Sequence, residues 1–271
     1  MKKASGSRTG RAPSGVRRAD VRFSVDAAFA LVLLLLMLDR YTGNAAHEIL
    51  GLAVAAALGV HLALNAQWLR KLPRSLTGSA ARAALDGRIR LAAAAVVDAA
   101  LFASFAASMV SGALISQTLF IDLIPFEWQG GLDMRTAHVQ WSFWCFLLFG
   151  LHAGLHGEAI AGWLRKKLER LFASRPALRL SEESRAALGF VLMLWGLAAI
   201  EIWQMPAALA GLSSFIEWDE GDNAFLMTAD FILSAFAWGW LAFHGKRIAK
   251  GLLKKMTSAS SGKRRMADWM P

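Results

Sequence analysis

One cysteine, Cys145, serves a chain of 271 residues. No intramolecular disulfide and no cysteine-pair metal site can therefore form. Charge is scarce as well: only 18% of the residues are Asp, Glu, Lys or Arg, against 56% apolar, an imbalance foreign to a soluble domain of this length. A glycine-rich phosphate loop and a hydrolase nucleophile elbow are both missing, which argues against nucleotide-driven or hydrolytic chemistry.

The apolar residues come in blocks of roughly 20, the length that crosses a bilayer. Six are legible, at about 24–42, 46–67, 91–115, 137–161, 186–205 and 223–245. The fifth and sixth carry Glu201 and Asp230, so their ends are the least sharply marked. The first block, after a basic leader, superficially resembles a signal peptide. No small-residue cleavage site follows MLDRYTGN, and the block is expected to be retained.

A net charge of +10 would suit nucleic acid if it were evenly spread. It is not. Seven Lys/Arg precede the first block, six lie in 68–90, seven in 163–185 and eight from Lys246 onward. The alternate loops hold only Arg40 and Arg135. That asymmetry is the positive-inside pattern. It predicts cytoplasmic termini, an outward-facing IEWDEGDN loop and no nucleic-acid partner.

The expected organisation follows. Residues 1–22 form a disordered basic cytoplasmic tail, 23–161 a four-helix bundle, 162–185 a basic cytoplasmic loop, 186–245 two further spans, and 246–271 a basic tail. Within that tail GKRIAKGLLKK is amphipathic and suits the inner leaflet, and MTSASSGKRRMADWMP is expected to be disordered.

One internal repeat stands out. AHEILGLAVAAALGVH (46–61) and AHVQWSFWCFLLFGLH (137–152) both begin Ala-His and both place a second histidine fourteen residues after the first. They fall on the second and fourth spans, which run in the same direction. Fourteen residues of α-helix rise about 21 Å and return to within about 40° of the starting face. Each helix thus presents two imidazoles on one stripe, with His47 level with His138 and His61 level with His152.

An imidazole in hydrocarbon needs partners for its ring nitrogens. Two facing rings at one level are satisfied by axial ligation of a single haem iron, the second nitrogen of each donating to a carbonyl or carboxylate. Isolated histidines in spans also serve as hydrogen-bonded packing residues. Four of them in two equally spaced pairs favour two b-haems, His47 and His138 on the outer and His61 and His152 on the inner. Two rings per level fall short of a tetrahedral zinc site.

Gly51, Gly59, Ser142 and Gly150 lie near the histidines, where small residues admit a porphyrin face or simply pack helices. His156, four residues beyond His152, competes for the inner iron. Asn65 holds the equivalent place in the first repeat, so His152 is preferred, with His156 a neighbouring or quinone-facing group. His244 reads as an interfacial side chain. Asp26, Asp98, Glu201 and Asp230 are candidates for proton relay, for pairing with a propionate or arginine, or for wet helix ends. The eleven tryptophans mostly mark an aromatic belt, with Trp141 and Trp144 placed to pack on the outer haem or in the core.

The strings YTGNAAHEILGLAVAAALGVHLALNAQWL, SGALIS, TAHVQWSFWCFLLFGLHAGLH and FLMTADFILSAFAWGWLAFHGKRIAKGLL together resemble the bacterial flavinylation-associated cytochrome family. The likeness covers most of 24–252, and its most specific parts are T-G-N-x-x-H-E and the paired histidines around 152–156. The fourteen-residue spacing is also similar to cytochrome b of quinol-oxidising complexes, as shared architecture only. The family resemblance implies a b-type cytochrome of the bacterial cytoplasmic membrane, with its histidines falling on His47, His61, His138, His152 and His156. It further implies an extracytoplasmic flavin-carrying partner, because no flavin acceptor motif stands in this chain. Phe143-Trp144 replaces the family's Tyr-Trp.

The reading as a whole is an all-α membrane protein of six transmembrane helices. Its first four spans enclose two haem b groups that move electrons between a cytoplasmic or quinol donor and an extracytoplasmic acceptor. The competing reading is a proton-coupled transporter or assembly scaffold without haem.

Overall fold

The computed structural model describes residues 18–77, 85–171, 181–215 and 223–267. Every regular element among them is helical. In chain order these are α1 (Arg18–Leu36), α2 (Asp39–Thr42), α3 (Asn44–Thr77), α4 (Leu85–Leu114), α5 (Leu132–Leu155), α6 (Gly157–Leu171), α7 (Glu182–Ile202), α8 (Met205–Leu209) and α9 (Ala224–Ala267). A 3₁₀ turn at Phe126–Trp128 interrupts the α4–α5 connection.

Four helices are long and apolar enough to cross a membrane: Asn44–Pro73, Leu91–Leu114, Glu182–Ile202 and Ala224–Leu252. A fifth arises if α5 and α6, bent by 69° against each other, count as one broken span. The expected first span falls outside that set, since the 19 residues of α1 include Arg18, Asp20, Arg22 and Asp26. It nevertheless packs along α3.

Four boundaries differ from the sequence expectation. The fourth span ends as a straight helix at Leu155. His156 there has φ −93° and ψ 4°, the bridge conformation that interrupts an α-helical ladder, and α6 turns away. The 162–185 region is largely helical through Leu171, and its residues 172–180 lie outside the described ones. The region from 246 is not an irregular tail, because α9 continues without a break to Ala267. Its Lys, Arg and Ala residues are good helix formers. Of the tail expected to be disordered at 1–22, residues 18–22 are helical as the start of α1, while 1–17 and most of the IEWDEGDN loop lie outside the described residues.

Two buried clusters organise the helices. The first joins Phe143 and Phe146 of α5 to Ala199 of α7, Met205 and Ala208 of α8, and Met227 and Phe231 of α9. Glycines let α5 and α7 approach α9 closely. A Cβ on Gly150 would come 2.8 Å from the Ala235 carbonyl oxygen, and those on Gly154 and Gly196 would collide with the backbone of Gly239 and Leu233. This is the small-residue packing by which helices associate in lipid, where no hydrophobic force draws one helix to another. Asp230, expected as a relay or wet helix-end group, is instead buried in this interface. Its carboxylate accepts from the indole N–H of Trp195 at 2.8 Å and of Trp203 at 3.1 Å.

The second cluster holds Leu33 of α1, Val54 of α3 and Cys145 of α5, with Leu101 and Phe105 of α4 packed on it. The four elements expected to form a bundle therefore do meet, and they meet at mid-height.

Candidate functional site

Val54 lies seven residues from both His47 and His61, and Cys145 seven from both His138 and His152. Seven residues are close to two helical turns, so each repeat shows one face to the bundle: ring, buried apolar residue, ring. The apolar cluster closes the middle, and the histidines pair above and below it. "Lower" here means the level of His61 and His152, towards the segments rich in Lys and Arg.

The His47 and His138 ring centroids stand 6.1 Å apart, with planes at 78°. At the lower level His61 and His152 are 6.4 Å apart, at 73°. A metal–nitrogen bond of roughly 2 Å and an imidazole radius of about 1 Å place the centroids of two rings that share one iron roughly 6 Å apart. Both levels fit that separation. It is too long for a ring–ring hydrogen bond, whose nitrogens approach to about 3 Å.

The outward nitrogens are held. His61 Nδ1 lies 2.7 Å from Asp26 Oδ1 and His152 Nδ1 lies 2.6 Å from Asp98 Oδ1. His138 Nδ1 lies 2.9 Å from the Ser108 carbonyl and 3.3 Å from Ser111 Oγ. A proton fixed on Nδ1 leaves Nε2 as the lone-pair nitrogen, the tautomer that an oriented metal ligand requires. No hydrogen bond engages Nε2 of these three rings among the described residues. His47 differs, because its Nδ1 is buried without a hydrogen-bond partner.

α4 supports both levels. Asp98, Phe105 and Gly112 recur every seven residues on it. Asp98 holds the lower ring and Phe105 joins the middle cluster. Gly112 gives His138 room, since a Cβ there would stand 2.8 Å from its Cε1. Ser142 of α5 bonds Ser108 of α4 at 2.8 Å, and so steadies the carbonyl turn that holds His138.

Glu48, next to His47, receives the amides of Gln117, Thr118 and Leu119 at 2.9, 3.2 and 2.7 Å and the Ser116 hydroxyl at 2.8 Å. Asn44 donates to Gln117 Oε1 at 2.6 Å. Gly43, at φ +75°, takes the left-handed turn into α3 that a Cβ would strain. The Gly-Asn-x-x-His-Glu string thus fixes the upper end of α3 to the loop leaving α4.

The remaining candidates separate. A Cβ at Gly51 or Gly59 meets no protein atom within 4 Å, so neither glycine is spent on helix packing. Gly150 is: it faces α9 rather than the paired rings. His156 is exposed at the α5–α6 bend, its ring 4.7 Å from His152. Ligand atoms of Asp98, His152 and His156 lie within 4.8 Å of one another. His244 packs on Trp240 at 4.1 Å. Glu201 is exposed. Trp144 donates to the Leu209 carbonyl at 3.0 Å and so points to α8. Asp26, one of the four acidic candidates, is a direct partner of His61.

Residues that the sequence left unassigned are Gly112, Ser108, Ser111 and Glu48. Two signals pointed towards them: Gly112 stands fourteen residues after Asp98, and Glu48 closes the T-G-N-x-x-H-E string. No protein-family profile, curated protein or solved structure matches the chain.

Proposed function

We propose that this chain is a di-haem b-type cytochrome that carries electrons across a membrane. The reading rests on one observation: two histidine pairs with centroids 6.1 and 6.4 Å apart, three of the four rings held through Nδ1. His47 and His138 would hold the upper haem, His61 and His152 the lower. The haem supplies the one-electron chemistry when bound. The chain's own part is to orient the imidazoles, exclude water at mid-height through Leu33, Val54 and Cys145, and space the two levels by about 21 Å. One macrocycle cannot bridge a hydrocarbon core of about 30 Å, and two levels divide it.

The skewed placement of Lys and Arg supports a cytoplasmic lower end. In the bacterial cytoplasmic membrane the donor would be a quinol or another cytoplasmic-side reductant. The acceptor would be an extracytoplasmic flavin-carrying protein, as in the family the sequence resembles. In such an assembly the chain acts as the membrane subunit of an oxidoreductase. His156, exposed beside the lower level, suits a quinone-facing role.

The deciding experiment is a reduced-minus-oxidised visible spectrum of the purified protein with haem quantified per chain. A b-type spectrum with two haems supports the reading. A folded but colourless preparation from haem-replete cells overturns it. That outcome would favour a cation or proton transporter built on the Asp98, His152 and His156 cluster, whose ligand atoms converge within 4.8 Å.

A further inference from the structure

The two levels share one ligand pattern but not one set of outer partners. At the lower level both rings face carboxylates, Asp26 at 2.7 Å and Asp98 at 2.6 Å. At the upper level His138 faces a backbone carbonyl and a hydroxyl, and His47 Nδ1 has no hydrogen-bond partner among the described residues. The difference is written into the helix register. The α4 face that carries Asp98 at the lower level carries Gly112 fourteen residues on. α1 supplies Asp26 below, and its helix ends at Leu36 before the upper level is reached.

An imidazole that donates Nδ1–H to a carboxylate gains imidazolate character and becomes a stronger electron donor through Nε2. A more basic axial ligand, with negative charge behind it, stabilises ferric over ferrous iron and lowers the reduction potential. A carbonyl does so less, and an unpartnered nitrogen not at all. Resting on the di-haem reading, we infer that Asp26 and Asp98 hold the lower site at a lower reduction potential than the upper one. An electron shared between the two levels then resides at the upper one. Transfer from the basic end to the opposite end is the downhill direction.

Charges that make no bond to a paired ring lie at both levels, Arg22 and Lys246 near the lower and Arg135 and Asp39, opposite in sign, acting on His138 at the upper. Arg22 is spent on the Leu64 carbonyl at 2.6 Å and Lys246 on the Leu155 carbonyl at 2.9 Å, so neither contacts a paired ring. The carboxylates act directly through the Nδ1 proton, whereas charges at helix ends are weakened by solvent and salt.

The test is potentiometric titration of the purified full-length protein, followed at its visible bands. His138→Ala leaves the lower site's wave alone and His61→Ala leaves the upper, which assigns the two. In the unaltered protein the lower site should titrate at the more negative potential. Asp98→Asn should favour the reduced form of that site by at least tenfold, about 59 mV for a one-electron couple, and leave the upper wave in place. Asp26→Asn should act in the same direction but less, because its side chain is 41% exposed against 23% for Asp98. Being the more exposed position, it also carries the test if Asp98→Asn does not fold. Asp98→Glu should return towards the parent value. Equal or inverted potentials, or Asn variants that leave the lower wave unmoved, overturn the inference while sparing the di-haem reading. A protein that binds no haem overturns both.

Discussion

Val54 and Cys145 belong to one buried cluster midway between two histidine levels, each seven residues from both histidines of its own helix. Val54 is fully buried and Cys145 nearly so. The cluster seals the bundle and sets the spacing of the levels, so a cavity there should disturb both at once. Val54→Ala should cost about 1–2 kcal/mol. This is below the usual range for truncating a larger core side chain, because fewer atoms are removed and the unfolded reference remains in an apolar medium. Thermal unfolding in detergent measures the cost. Both pairs should lose spectral sharpness together, whereas an effect confined to one level would contradict a shared plug.

His152 and His156 stand 4.7 Å apart, yet only His152 has its Nδ1 held by Asp98 and its ring opposite His61. His152→Ala should therefore remove one haem per chain, and His156→Ala should leave two. Haem stoichiometry of the two purified variants decides this. The reverse result would move the lower ligand to the bend.

Much of this arrangement was legible beforehand, and the remainder has a physical reason for being hidden. The fourteen-residue repeat places four rings on two levels from helical periodicity alone, and apolar blocks of bilayer length mark most of the helices. The outer partners were hidden because they come from α1 and α4, whose phase relative to the histidine helices depends on packing rather than on spacing. Asp26 could not be told from a wet helix end for that reason. Gly150 was open to two readings, since a small residue beside a histidine looks the same in sequence whether it faces a cofactor or, as here, α9. The end of the fourth helix was marked only by Gly157, directly after the cap residue His156, a stop signal masked by the apolar residues that continue beyond it.

Two glycines separate ring placement from cofactor space. Gly112→Ala would set a Cβ 2.8 Å from His138 Cε1 and 3.1 Å from its Nδ1, forcing the ring to move. It should lower occupancy of the upper haem selectively and leave the lower spectrum intact. At Gly51 a Cβ touches no protein atom within 4 Å, so Gly51→Ala should keep or slightly raise apoprotein stability, since alanine favours helix by about 1 kcal/mol over glycine. A loss of haem from Gly51→Ala without loss of fold would locate a porphyrin face against α3. Spectra paired with thermal melts of both variants provide the check.

Asp230 sets a carboxyl group in the apolar interface of α7 and α9, where it accepts from two indole N–H groups. Asp230→Ala should leave both Trp195 and Trp203 N–H groups without their carboxylate, at a cost of about 1–3 kcal/mol. Haem content and potentials should not change. A proton-relay role would show the opposite split, with normal stability and impaired turnover.

Glu48 offers the sharpest contrast between a motif read as a signature and its physical task. It sits beside a proposed ligand, yet its carboxylate is filled by three backbone amides and the Ser116 hydroxyl. Its work is to tie α3 to the loop that links α4 to α5. Glu48→Gln keeps one carbonyl oxygen for those donors, whereas Glu48→Ala keeps none. The alanine variant should lose about 1 kcal/mol, towards the low end for unsatisfied donors because the turn is partly wet. Limited proteolysis should open the segment between Gln117 and Gly131 in Glu48→Ala before it does so in the parent, with Glu48→Gln intermediate. Because α3 positions His47 through the same turn, the upper haem should become easier to extract while the lower stays bound. Equal resistance of all three proteins to protease would mean that the loop is held by something other than this carboxylate.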